Sequence, residues 1–197
     1  MKRTLCIAAT IALFLTSACS APNADGDGAE LVATYAVDAA TSPTPTETTE
    51  AVGTRTNPVP IDTAFKVGDN WEVSLAATNP DATAAVLAEN QFNEIAEGRV
   101  AVMVSVTLTY VGAESGTPWL DLTMSYLGAS GNTFGTGSDD SCGVIPAELM
   151  DVNEMFPGAT STANECFAVP ASDVAGGTWI IEESFSFDET RVFVATS

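Results

Sequence analysis

Residues 99 to 111 read Arg-Val-Ala-Val-Met-Val-Ser-Val-Thr-Leu-Thr-Tyr-Val, and this stretch decides the fold. Val100, Val102, Val104, Val106, Leu108 and Tyr110 alternate with Ala101, Met103, Ser105, Thr107 and Thr109. Successive side chains of an extended chain point to opposite faces, so period two puts one apolar row on one face and a smaller, more polar row on the other. That is the pattern of a strand in a two-sheet sandwich. Its thirteen residues exceed the usual three to ten of a strand, which predicts a bend or bulge partway along.

On either side of it, Ala64 to Val67, Trp71 to Ala77, Leu120 to Leu127, Thr160 to Val169, Thr178 to Phe187 and Arg191 to Ala195 also read as strands. Turn signals separate them at Gly68-Asp69-Asn70, Gly128 to Asn132, Pro157-Gly158, Gly176-Gly177 and Asp188-Glu189-Thr190. About seven strands with turns this dense predict an all-β, immunoglobulin-like two-sheet β-sandwich over residues 57 to 197. Ala82 to Asn90, and Pro146 to Met155 with proline at a first-turn position, break the rhythm and read as helical turns. The second serves as a crossover pinned by Cys142. Trp71, Trp119 and Trp179 are expected in core or edge packing rather than as a ligand platform.

N-terminal to this domain the composition changes. Residues 19 to 56 are rich in Thr, Pro and Ala and acidic, with Thr-Ser-Pro-Thr-Pro-Thr-Glu-Thr-Thr-Glu at 41 to 50. Few large apolar side chains are present to offset the entropy of ordering, so a disordered linker is expected. As a flexible coil it would span roughly 35 Å. Before it, Lys2 and Arg3 precede the uncharged run Leu5 to Leu15, too short for a membrane span but suited to a signal-peptide core. Leu15-Thr16-Ser17-Ala18-Cys19 resembles the lipobox of bacterial lipoproteins, although Thr16 stands where Leu is usual. Residues 1 to 18 are therefore expected to be a lipoprotein signal peptide and Cys19 the lipidated residue. The partner this implies is a membrane, reached through the lipid anchor from the extracytoplasmic face.

Of four cysteines, Cys6 leaves with the signal peptide and Cys19 takes the lipid. Cys142 and Cys166 remain in an exported domain, where a disulfide is the economical pairing. A thiolate metal site needs more ligands than two cysteines, and the chain contains no histidine. Loss of Lys2 and Arg3 leaves Arg55, Lys66, Arg99 and Arg191 against 26 acidic residues, a net charge of 4 minus 26, or −22. Such a surface repels phosphate backbones, which excludes nucleic acid as a partner.

Asn57-Pro-Val-Pro-Ile-Asp-Thr-Ala-Phe-Lys-Val-Gly-Asp-Asn-Trp-Glu-Val73, the long valine strand, Cys142-Gly-Val-Ile-Pro146, Pro157-Gly158 and Cys166-Phe-Ala-Val-Pro170 together resemble a family of actinobacterial lipoproteins. The resemblance covers about residues 57 to 195. It implies the immunoglobulin-like fold of a secreted mycobacterial immunoprotective antigen and an envelope location, and it carries over no catalytic residue.

The residues themselves offer little chemistry. Without histidine there is no Ser-His-Asp or Cys-His arrangement. Lys66, the one lysine left after signal removal, lies beside a turn with no marked serine partner. Asp139-Asp140 reads as a solvated loop tip rather than a calcium site. Glu182 and Glu183 are adjacent on a strand and point to opposite faces, unlike a glycosidase pair. Asn23, Asp25, Asp27 and Gly28 start like a calcium loop, but its twelfth position is Thr34 rather than Glu. No catalytic, cofactor-binding or metal-ligating residue is assigned, no cofactor is expected, and the protein is not expected to be an enzyme. The expected function is a lipid-anchored envelope module that binds an unknown protein or glycan partner, marked by an exposed apolar or aromatic patch. The alternatives are a carboxylate-based cation-binding module or enzyme, and a purely structural envelope protein.

Overall fold

The computed structural model describes residues 51–135, 137–186 and 191–197. The signal sequence, Cys19, the linker through residue 50 and the Asp188-Glu189-Thr190 turn lie outside the described residues.

Eight strands are found among them: β1 Phe65–Val67, β2 Trp71–Leu75, β3 Arg99–Tyr110, β4 Leu122–Leu127, β5 Thr133–Phe134, β6 Thr160–Pro170, β7 Thr178–Glu183 and β8 Arg191–Val194. They form two antiparallel four-stranded sheets, ordered β1-β2-β3-β6 and β5-β4-β7-β8. The chain changes sheet between β3 and β4, returns between β5 and β6, and crosses again before β7. Pairing β3 with β6 and β4 with β7, with β8 beside β7, matches the B–E, C–F and F–G neighbours of an immunoglobulin sandwich. All seven predicted strands are present. The eighth, β5, is a two-residue strand too short to leave a periodic signal.

The expected bulge in β3 is absent, because its register with β6 runs unbroken from Arg99↔Pro170 to Thr109↔Thr160. The irregularity falls instead on β2's side of the sheet. The pairing there passes from Leu75↔Val106 to Asn79↔Met103, so three residues oppose two. Among the helical expectations, Ala82 to Asn90 becomes α1, Thr83–Glu89. Pro146 to Met155 holds only the 3-10 turn Leu149–Asp151. The carbonyls that would start a helix there are taken by β6: Asn164 donates its backbone N–H to Ala147 O at 2.7 Å and its side-chain amide to Pro146 O at 2.7 Å. Two further single turns, α2 Pro118–Asp121 and α3 Ala171–Val174, flank β4 and β7.

The core is built from the inward rows of both sheets, including Trp71, Val73 and Leu75 of β2, the even-numbered residues of β3, and Phe167 and Val169 of β6. Leu122, Met124, Tyr126, Trp179 and Ile181 face them from the other sheet. The buried aromatics satisfy their polar tips. Trp179 Nε1 donates to Thr78 Oγ1 at 2.8 Å, Trp71 Nε1 to Asp121 Oδ2 at 3.3 Å, and the Tyr126 hydroxyl to Val174 O at 2.6 Å. An indole or phenol buried without a partner would be costly, so these bonds fix ring orientation as well as position. A smaller cluster lies on the outer face of the first sheet, where Ala101 and Cys166 pack against Ala82 and Val86 near α1, with Cys142 and Ile145.

Exposed strand edges invite pairing with other chains, and here they are short or covered. Val59 lies along β8, donating to Phe193 O at 2.8 Å and accepting from Ala195 N at 2.9 Å. Gly53 O accepts from Phe193 N at 2.9 Å, so packed chain extends ahead of residue 57 into the segment expected to be linker. The edge of β6 is covered by the crossover, through the parallel bridge Glu148↔Asn164.

Candidate functional site

The inward row of β6 reads Ala163, Glu165, Phe167, Val169, and the second of these is the anomaly of the sandwich. Glu165 stands opposite Val104, a fully buried core residue, so β-sheet geometry aims a carboxylate at the apolar interior. It escapes full burial because β6 ends its sheet, and the seam between the sheets opens there into a cleft. One side of the cleft, about 150 Å³, is lined by Trp119, Leu122, Met124, Met150 and Phe167 with Glu148 and Glu165. The other, about 210 Å³, runs past the same two glutamates to Ile145 and the Cys142–Cys166 bond.

Burial, opposed by one hydrogen bond from the Cys166 N–H and helped by the nearby Glu148 charge, pushes the Glu165 carboxyl up to about 7. Burial also raises Glu148, with the charge of Asp151 adding to it. None of the four basic side chains among the described residues lines this cleft. It is therefore a small, largely apolar recess lined by two carboxyl groups, with no basic side chain among its lining residues.

Around the mouth lies exposed apolar surface. Trp119 and Leu120 of α2 are 42% and 50% exposed, and Met150 across the cleft is 63% exposed. Phe156, 61% exposed, follows the Gly116↔Met155 bridge that ties the crossover to the segment before α2. Of the three tryptophans expected in core or edge packing, Trp71 and Trp179 are in the core and Trp119 is at the edge, 42% exposed. Pro118 opens a helical turn closed by the Asp121 carboxylate, which accepts the Thr117 N–H at 3.0 Å, and that turn leaves Trp119 outward. For the same reason β4 starts at Leu122, two residues later than the sequence suggests. Acidic residues flank these positions in the chain: Asp151 follows Met150, and Glu154 accepts from Ser115 Oγ at 2.6 Å.

The other sequence candidates are drawn into structure. Cys142 and Cys166 are bonded, with Cα atoms 6.0 Å apart, and staple the crossover to the outer face of β6. Asp140 is not at a solvated tip: it pairs with Arg99 Nη1 at 2.6 Å and accepts the Gly135 N–H at 3.2 Å. Glu182 accepts from Arg191 Nε at 2.8 Å, while the Glu183 carboxylate lies against Gly68, where a Cβ would come within 2.7 Å of it. Among the described residues no three His, Cys, Asp or Glu side chains are grouped to hold a metal ion. Sequence reasoning missed Glu165, Glu148 and Met150. The one signal available was the acid interrupting the apolar row of an otherwise clear strand.

The domain is an immunoglobulin-like β-sandwich with an acidic cleft at one open seam. No family model matches the chain. No curated protein matches it either. Among solved structures it is similar to a conserved hypothetical protein from Bacillus anthracis, at 11% identity and TM-score 0.43 over 70% of this chain and 95% of that one. An uncharacterized β-sandwich protein from Clostridium difficile 630 gives 10% identity and TM-score 0.43 over 72% and 95%. The yjhA protein from Bacillus subtilis gives 10% identity and TM-score 0.42 over 71% and 99%. Likenesses this distant carry no information about function.

Proposed function

We propose that this protein is a lipid-anchored extracytoplasmic binding module, tethered at Cys19 by the linker and engaging a protein partner through the α2 end of its sandwich. The observation that carries the reading is the exposed group Trp119, Leu120 and Met150 around the cleft mouth. Aromatic residues and methionine are enriched in interface centres, and a contiguous exposed apolar patch marks an interaction surface. The anchor rests on the lipobox-like residues ending at Cys19 and on the resemblance to actinobacterial lipoproteins. With no histidine in the chain, and with Asp140 and Glu182 engaged in ion pairs, the reading is of binding rather than catalysis, and the acidity rules against nucleic acid.

Two measurements test it. Metabolic labelling with a lipid precursor is expected to mark the wild type and to be lost in Cys19→Ala; an unlabelled wild type removes the anchor. Full-length protein carrying an affinity tag, recovered from detergent-solubilised envelope, is expected to bring down a discrete partner. Trp119→Ala with Met150→Ala should reduce that recovery about tenfold or more, the cost of losing one or two central anchors. Recovery unchanged by the double substitution would move the interface elsewhere. The Glu148–Glu165 pair supports a second reading, a cation-binding module; calorimetric heat with calcium, lost in Glu165→Gln, would favour it.

A further inference from the structure

The cleft and its surroundings are complementary to one kind of group. Leu122, Met124, Met150 and Phe167 line it together with Glu148 and Glu165, and no Lys or Arg is among its lining residues. At about 150 and 210 Å³, its two sides together only reach the lower end of the roughly 300–1,000 Å³ of pockets that hold drug-sized ligands. Such a space suits a slender occupant, apolar along its stem and positive at its tip. Long basic side chains have that form, since their methylenes bury along apolar surface while the charged head seeks an acceptor. Trp119 at the mouth adds a ring face to which a passing cation is attracted.

We propose that the cleft receives a single lysine or arginine side chain, projected from an apolar segment of a partner protein that lies across Trp119, Leu120 and Met150. The inference rests on the binding-module reading and names the partner's chemistry. Charge complementarity carries it: Glu148 and Glu165 line the cleft with no basic side chain among its lining residues, and the Asp151 charge acts on Glu148, which favours a partner whose apolar contact carries basic residues. The same charges disfavour anionic lipid head groups as the occupant.

The test uses full-length protein with isotope-labelled methionine methyls and three probes: acetyl-Ile-Lys-Ile-amide and the same peptide with norleucine or glutamate in the centre. The lysine peptide is expected to shift the Met124 and Met150 signals saturably. Norleucine should bind at least about tenfold more weakly, and glutamate not at all, a difference of about 1.4 kcal/mol or more. Glu148→Gln with Glu165→Gln should bring the lysine peptide down to the norleucine level, with the Met103 signal showing that the fold is kept. Equal binding of the lysine and norleucine peptides, or no shift from either at millimolar concentration, overturns the proposal. A partner recovered from envelope equally well by wild type and the double glutamine variant would leave the binding module standing and remove the cationic anchor. Peptide binding as expected with no partner recovered would do the reverse.

Discussion

Removing the Cys142–Cys166 bond by alanine substitution at both positions is expected to destabilise the domain by about 3 to 4 kcal/mol. The sequence separation of 24 sets the chain-entropy part of that figure. Neither sulfur is needed elsewhere, and both cysteines are buried in the outer cluster with Val86 and Ile145, so packing loss adds to the entropic loss. Structurally the bond holds the crossover against β6, and the same crossover supplies Glu148 and Met150 to the cleft. Denaturant titration of the double alanine variant should show a lower midpoint, and the Met150 methyl signal should lose its distinct position. A loss below about 1 kcal/mol would mean that the Glu148↔Asn164 bridge and the Asn164 bonds to Pro146 and Ala147 hold the crossover unaided.

Glu165→Gln is expected to stabilise the protein above neutral pH by about 2 to 3 kcal/mol, a gain that disappears in acid. A carboxyl whose folded value is raised from 4.5 to about 7 favours folding most below pH 4.5. That contribution is lost as pH rises to about 7, and above 7 the ionised group burdens the fold by a constant amount. A tenfold weakening of acidity on folding corresponds to about 1.4 kcal/mol, and incomplete burial lowers the total. Glutamine keeps the shape and can still accept the Cys166 N–H, but never ionises. Unfolding free energies of both forms at pH 4, 6 and 8 should therefore converge at pH 4 and separate by pH 8. Asp81 and Asp173 are held low by hydrogen bonds from Thr83 and Ser130, so they act in the opposite sense at more acid pH and cancel in the difference. A difference independent of pH would place the Glu165 carboxylate in solvent.

The strands were legible because each satisfies a local rule: period two in β3, glycine or proline at the turns, β-branched and aromatic residues between them. The disulfide followed from elimination, since the expected signal peptide and lipid anchor account for the other two cysteines. The cleft was not legible. Its parts come from α2, the crossover and β6, separated by tens of residues, and they meet only because β6 ends one sheet against β4 of the other. Trp119 has the composition of a core residue, and only the turn set by Pro118 and Asp121 puts it outside. Glu165 was visible in the alternation of β6, yet strand reading asks whether a row is apolar on average, and one acid among Ala163, Phe167 and Val169 does not change that average.

The central claim is that the α2 end is where this protein meets its partner. Full-length protein carrying a photo-crosslinking amino acid at position 119, irradiated in the cells that make it, tests that claim most directly, with the same amino acid at exposed Lys66 as the reference. The expected result is a discrete covalent adduct from position 119 and none from position 66; adducts of equal yield at both positions, or at 66 alone, would contradict it.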